Sequence, residues 1–222
     1  AAGLAHEVRN PLNAIGLAAQ RIERLAARDP RRHPPLLELT ARIRDEVARL
    51  ERSLRGFLDL ARPAAGGRRA LDLAALAGEV LAGLELEAEA RRVSWRARLE
   101  PATAVVEPES VRRALVNLVR NALEASPPGS EVEVETGAVP PGANGDGKGW
   151  VRLAVRDRGP GLPAELGERA FEAFVTTKAE GTGLGLAIVH QVVAEHRGRS
   201  FLQPREGGGA EAVLELPRGE AA

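Results

Sequence analysis

Residues 180–193 read EGTGLGLAIVHQVV. Three glycines at alternate positions, Gly181, Gly183 and Gly185, lead straight into an apolar pattern of helical period. Glycine costs a helix interior about 1 kcal/mol against alanine, so a cluster at a helix entrance needs a physical reason. A helix N-terminus offers free N–H groups and the positive end of a dipole, and phosphate is the first ligand that suggests. Neither common phosphate loop fits. The dinucleotide fingerprint needs a third glycine where Leu186 stands, and the P-loop needs Gly-Lys-Ser/Thr where Gly185-Leu186-Ala187 stand. A glycine-rich helix start alone is equally compatible with close packing or a flexible turn, so the remaining sequence must decide.

At 222 residues the chain is long enough for one or two domains with a real core. Its 31 basic and 31 acidic residues cancel, so no overall field points to nucleic acid or a membrane surface. With no cysteine, disulfides, thiolate metal sites and thiol nucleophiles are excluded. Four phenylalanines and two tryptophans are its aromatic residues, too few for a base-stacking platform. No apolar run approaches a membrane span, and no charged-then-apolar leader opens the sequence. The chain starts inside a helical pattern, as expected of a fragment or catalytic core with a cytoplasmic location.

Residues 2–28 carry Leu4, Val8, Leu12, Ile15, Ala19, Ile22 and Ala26 at alternating spacings of three and four, a helical seam. DPRRHPP (29–35) breaks it, and Ile43, Val47, Leu50, Leu54, Phe57 and Ala61 form a second seam that ends at RPAAGGRR (62–69). The expectation is an antiparallel helical hairpin over 1–61, a linker over 62–70 and a second domain over 71–222. A lone hairpin buries little, so two hairpins paired as a four-helix-bundle homodimer are the economical arrangement; packing onto the chain's own second half is the alternative.

Beyond the linker the pattern is mixed. Helices are expected over about 73–91, 109–125 and from the glycines to His196, and strands at 93–99, 103–107, 131–136, 150–157, 200–204 and 211–217. The glycine- and proline-rich stretch 138–149 reads as a disordered loop, and REGGGA as the turn joining the last two strands. The simplest fold is an α+β sandwich, one mixed sheet covered by helices on one face.

Three groups of residues suggest chemistry. Asn117 and Asn121, four apart, lie beside the apolar stripe Val111, Leu115, Leu118 and Ala122. Amide oxygens can ligate a hard cation such as Mg²⁺, although two solvated polar residues would look the same. In WVRLAVRD (150–157) the period of two turns Asp157 the way Val151, Leu153 and Val155 point, just before Arg158-Gly159-Pro160-Gly161. A buried acceptor there would suit an exocyclic amine such as adenine N6, with glycines admitting a flat ring; an ordinary turn carboxylate is the alternative. FEAFVTTKAEGTGLGLA (171–187) then brings Lys178, a point charge for phosphate, to the glycine entrance, with 171–181 reading as a lid. Near the N-terminus, in GLAHEVRNPLNAI (3–15), His6 faces away from the seam. Glu7 adjoins it, Asn10 is one turn on, and Pro11 should bend the helix beside it.

In this order the stretches resemble the catalytic core of the sensor histidine kinases of two-component signalling. HEVRNPLNAI resembles the phosphoacceptor box, NLVRNALEA the N box, DRGPG the first glycine box, FEAFVTTK the F box and GTGLGLA the second glycine box. TTK before GTGLGLAIV resembles the nitrogen-regulatory type. The resemblance spans nearly the whole chain and implies a dimerisation and phosphotransfer hairpin, then an ATP-binding domain of the Bergerat type shared with gyrase, Hsp90 and MutL. It implies that His6 is the phosphorylated nucleophile, with Glu7 holding its ring and helping remove its proton. Asn10 would serve a phosphatase activity on the regulator, and Asn121 would ligate Mg²⁺ with Asn117 beside it. Asp157 would take the adenine amine in a pocket shaped by Gly159 and Gly161. Thr177, Lys178, Gly181, Thr182, Gly183, Leu184 and Gly185 would serve the nucleotide and its phosphates. The partner implied is a response-regulator receiver domain.

Ala173 stands where the F box usually has proline, and HRGRSF (196–201) replaces a more usual His-Gly-Gly run. A Bergerat-fold ATPase of another kind would leave the hairpin, His6 and Pro11 unexplained, and a pseudokinase should have lost Asn121, Asp157 or His6.

Overall fold

The structure, a computed structural model, describes residues 2–26, 34–60, 66–140, 149–163, 166–178 and 181–218. The side chains of residues 2–11, 34, 35, 55, 60 and 168 fall outside that description. So do residues 27–33, which include 29–33 of the expected turn, 61–65, which include 62–65 of the expected linker, and 141–148 of the expected loop. The chain divides into two compact units, Ala1–Arg62 with Thr176–Leu184, and Pro63–Val175 with Gly185–Ala222.

In the first unit α1 (Ala2–Ala26) and α2 (Pro34–Leu60) pack as a pair. α1 runs on through Pro11 without a break in its secondary structure. Pro34 and Pro35, expected in the intervening break, instead open α2, where a fixed φ and a missing N–H cost nothing in the first turn. Leu12, Ala19 and Ala26, seven apart, are buried, and Gly16 faces Val47. The other seam residues part from them. Ile15 and Ile22 on α1, and Ile43, Leu50 and Phe57 on α2, are exposed. α1 thus carries one apolar line used within the pair, and both helices carry a line left open.

The second unit begins with β1 (Arg69–Asp72), α3 (Leu73–Gly83), α4 (Glu85–Arg91), β2 (Ser94–Leu99), β3 (Thr103–Val106) and α5 (Pro108–Ala125). It continues with β4 (Glu131–Val139), β5 (Trp150–Arg156), a 3₁₀ turn at Gly167–Phe171, α6 (Gly185–Glu195), β6 (Arg199–Pro204) and β7 (Ala210–Pro217). Five strands form a mixed sheet in the order β2-β4-β5-β7-β6, parallel between β2 and β4 and antiparallel elsewhere. Val132, Val134, Val151, Leu153, Leu214 and Leu216 are buried on the sheet, and α3, α5 and α6 pack on it. Between these apolar positions, Glu133, Glu135, Arg152, Arg156 and Glu211 pair across the strands. Alternation of period two therefore gives one helix-covered face and one ion-paired face.

Two expectations are corrected. The helix expected over 73–91 is two helices, broken at Leu84 after Gly83, the residue least costly to leave non-helical. Besides the five-stranded sheet there is an antiparallel ribbon of β1 and β3, so Arg69 and Ala70 of the expected linker are strand. β1 is too short and too polar to show a strand period.

α5 and α6 are tied at one end. Glu107 caps α5, accepting from the N–H groups of Glu109 (3.2 Å) and Ser110 (2.7 Å), with Pro108 as first helical residue. The buried His196 ring accepts the Glu107 N–H at Nε2 (2.9 Å), which leaves its proton on Nδ1 to donate to Val192 O (2.7 Å). Arg68 donates to the carbonyl of Glu195 at 2.5 Å, closing the last turn of α6. Burial pushes the Glu107 carboxyl up, but the donors of Ser110 and Glu109 outweigh it and hold the group below the usual carboxylate range.

A folded-state pKa below the unfolded one stabilises at pH above the unfolded value, and that contribution is lost as pH falls through the folded value. Glu107→Ala should therefore destabilise the second unit at neutral pH by about 0.5–2 kcal/mol, the usual cost of a lost cap. Urea unfolding followed by the fluorescence of Trp95 and Trp150, both in this unit, reads it. The gap to wild type should narrow as the solution is acidified into and below the carboxylate range; a gap independent of pH would contradict the capping role.

Candidate functional site

α5 positions the first part of the site. Val111, Leu115, Leu118 and Ala122 are buried, so Asn117 and Asn121 stand half-buried at the edge of that face. Asn117 Nδ2 donates to Arg113 O, one turn back, at 2.9 Å, which turns its Oδ1 outward. The Asn121 side chain makes no hydrogen bond with the described residues. Opposite them is Gly185, the first residue of α6. A Cβ there would lie 3.2 Å from Asn121 Nδ2 and 3.4 Å from Asn117 Oδ1. Two amide side chains and the N-terminus of a helix thus converge, a set of donors and acceptors suited to phosphate and a hard cation.

The last turn of α5 leads to the second part. A Cβ on Gly159 would come within 2.6 Å of Ala125 O, so only hydrogen fits where the loop after β5 crosses the end of α5. Just before it, Asp157 is 9% exposed. Its Oδ1 accepts from the N–H groups of Gly159 (2.8 Å) and Ala210 (3.1 Å), while its own N–H donates to Ala210 O (3.0 Å). Oδ2 takes no hydrogen bond from the described residues. A carboxylate with one oxygen saturated by backbone and the other left over is an acceptor in waiting. Gly161, at φ +79°, lies against Gly209 O on the facing turn.

The structure adds residues that the sequence reading passed over. Gly207, Gly208 and Gly209 all have positive φ (+81°, +97° and +100°), and a Cβ on Gly209 would sit 2.1 Å from Asp157 O. The turn after β6 therefore closes directly on Asp157. Arg205, 10% exposed, donates from Nη1 to Asp157 O (3.2 Å) and from Nη2 to the Glu133 carboxylate on β4. Three consecutive glycines in REGGGA were the available signal; a turn between antiparallel strands rarely needs three.

Next along the paired face, Glu211 accepts from Arg152 (2.8 Å), Arg156 (2.7 Å) and Gln203. Burial pushes its carboxyl up, and Gln203 with the two arginines reverses that, holding it below its ordinary value.

The remaining sequence candidates belong to the first unit. Thr176–Leu184 clusters with the hairpin helices. There the Lys178 N–H donates to Thr176 Oγ1 and the Gly181 N–H to Lys178 O, each at 3.1 Å. Thr177 is exposed; Lys178, Gly181, Thr182 and Gly183 are half-buried. Leu184 is buried, and a Cβ on Gly56 of α2 would come within 2.8 Å of its Cδ1. His6, Glu7 and Asn10 lie in α1, His6 and Asn10 four apart and so on one face; their side chains are outside the described residues.

Residues 106–220 match the family model for the histidine kinase-, DNA gyrase B- and HSP90-like ATPases, and residues 1–66 match the His kinase A phospho-acceptor domain. Sensor histidine kinase ZraS of Escherichia coli O157:H7 is 35% identical over 98% of this chain, and sporulation kinase A of Bacillus subtilis 29% identical over 98%. The chain spans 45% and 34% of the lengths of those two proteins. Among solved structures, full-length ShkA in complex with AMPPNP is similar over 100% of this chain and 46% of its own (TM-score 0.69, 28% identity). Histidine kinase ThkA in complex with the response regulator TrrA is similar over 98% of this chain and 60% of its own (TM-score 0.68, 25% identity). With a His kinase A phospho-acceptor domain matched ahead of this ATPase domain, the chain belongs to the histidine kinase-, DNA gyrase B- and HSP90-like ATPase family.

Proposed function

We propose that the chain is an ATP-dependent histidine autokinase that phosphorylates His6 and passes the phosphoryl group to a response-regulator aspartate. The observation that carries the nucleotide half is Asp157, nine-tenths buried with Oδ2 untaken in a glycine-walled corner. Oδ2 accepts the adenine N6 amine, and Gly159 and Gly161 let the ring approach. Gly185, with Thr177, Lys178, Gly181, Thr182, Gly183 and Leu184, serves the triphosphate. Asn121, with Asn117 beside it, suits Mg²⁺, whose contribution when bound is to neutralise phosphate charge.

His6 is the nucleophile: neutral imidazole has a free nitrogen lone pair near pH 7, since its reference pKa is about 6.5. Glu7 holds the ring and takes its proton as the N–P bond forms and the bond to the leaving ADP breaks. Phosphoryl transfer requires mainly alignment and charge neutralisation, so a hairpin over 1–61, a linker over 62–70 and an ATP domain over 71–222 would supply the needed freedom. The open line of Ile43, Leu50 and Phe57 supports a homodimer in which two hairpins cover each other's exposed apolar stripes. The partner is a receiver domain, and no role is assigned to nucleic acid. Among the described residues no helix is long and apolar enough to cross a membrane.

His6→Gln should abolish acid-labile, alkali-stable phosphoprotein from γ-labelled ATP while nucleotide binding survives. Label retained at the wild-type level would remove His6 as the acceptor.

Asp157→Asn should weaken ATP binding roughly ten- to hundredfold, the loss of a hydrogen bond to a charged group. The Gly159 and Ala210 N–H groups hold the amide oxygen where Oδ1 was, so the NH₂ must face the adenine amine. An unchanged calorimetric dissociation constant would refute the adenine role.

Asn10→Ala should leave autophosphorylation and transfer intact yet slow dephosphorylation of the regulator. Asn10 stands one turn after His6, too far to activate it, but able to orient a water towards a phosphoaspartate docked on α1. Equal decay of regulator phosphate with mutant and wild type would make Asn10 structural.

A further inference from the structure

Asp157 can discriminate an adenine amine only if Oδ2 is held at a fixed place, and along its own segment the Gly159 N–H alone bonds its carboxylate, at Oδ1. β5 ends at Arg156, and the next residues turn away through Gly159. The second restraint comes from across the sheet. Arg205 donates to the Asp157 carbonyl and to Glu133, so one guanidinium bridges the end of β5 to β4. Its own N–H donates to Gly209 O (3.1 Å) and its carbonyl accepts from Gly208 N–H (3.1 Å), which shapes the turn that presents the Ala210 N–H to Oδ1. Glu133 is steadied in turn by Arg156 (3.9 Å) and Arg158 (4.0 Å). Resting on the reading of Asp157 as the adenine acceptor, we propose that Arg205, anchored by Glu133, is a positioning residue for base recognition: it fixes the Asp157 carbonyl and the 205–209 turn, so that Oδ1 stays saturated and Oδ2 is presented to the base.

The side-chain type matters. A guanidinium has a planar fork that can serve a carbonyl and a carboxylate together, whereas an ammonium is a single point donor. Without the bridge the turn and the carbonyl can shift, the Ala210 N–H can leave Oδ1, and the carboxyl can rotate. Selectivity for the 6-amino group then falls, while contacts to the triphosphate stay.

The test compares binding of ATP with binding of purine riboside triphosphate, which lacks the 6-amino group, by calorimetry on the whole chain. Wild type should prefer ATP. In Arg205→Leu the preference should fall about three- to tenfold, part of the full loss of a charged hydrogen bond, with the affinity for the purine analogue unchanged. Arg205→Lys and Glu133→Gln should lie between wild type and Arg205→Leu, and they carry the test if Arg205→Leu does not fold. A merely structural Arg205 would lower thermal stability and weaken both nucleotides equally, and that result overturns the proposal. Asp157→Asn in the same assay separates the two readings. If it abolishes the preference while the Arg205 and Glu133 variants keep it, the positioning role fails and the adenine reading stands. If Asp157→Asn itself keeps the preference, the adenine reading fails and takes the positioning role with it.

Discussion

Burial of one face of α5 is the constraint from which the ATP-domain geometry follows. Val111, Leu115, Leu118 and Ala122 lie on spacings of four, three and four, so once they are covered the helix has no rotational freedom left. Asn117 and Asn121 are then fixed at the border of that face, where α6 packs and where Gly185 keeps the space before their amides open. At its far end the same helix stops at Ala125, whose carbonyl leaves space for Gly159 and nothing larger. One element therefore sets both halves of the site, and the cap at Glu107, locked by His196, sets where that element begins.

The sequence was legible wherever a period or a substitution against propensity was local. Two asparagines on a helix, an aspartate in phase with Val151, Leu153 and Val155, and glycines before an apolar helix each break a local rule, and each lies where the reading put it along the chain. Long-range partners were not legible. Arg205 looks like any turn arginine until strand order brings the hairpin of β6 and β7 beside the end of β5, and Glu133 until β4 is known to be the neighbour on the other side. The helix break at Leu84 and the ribbon of β1 and β3 escaped for a similar reason. Leu84 is apolar and buried, so the periodicity passes through it, and β1 is defined by its pairing with Thr103–Val106 more than by its composition.

The hairpin presents the opposite problem, a strong pattern with more than one use. A period of seven satisfies Leu12, Ala19 and Ala26 within the pair and leaves Ile43, Leu50 and Phe57, again seven apart, in contact with solvent. Exposed isoleucine, leucine and phenylalanine on one helical line cost the isolated pair stability, since each forgoes part of the roughly 1.5–3 kcal/mol that full burial gives. Such a line is not used within the pair of helices, which is why the seam read from the sequence is wider than the one that two helices can use.

The placement of positive charge around Asp157 follows the same economy. A buried carboxylate is usually stabilised by an arginine, and an arginine fork meets both oxygens at once. That arrangement would leave nothing for a ligand. Here two backbone N–H groups stabilise Oδ1, and the guanidinium of Arg205 is bonded to the residue's carbonyl and to Glu133. Its two hydrogen bonds near the site thus go to a backbone carbonyl and to a second carboxylate, not to Oδ2. Oδ2 is thereby left without a hydrogen bond from the described residues, as an acceptor that is to tell an amine from a carbonyl on a purine would have to be.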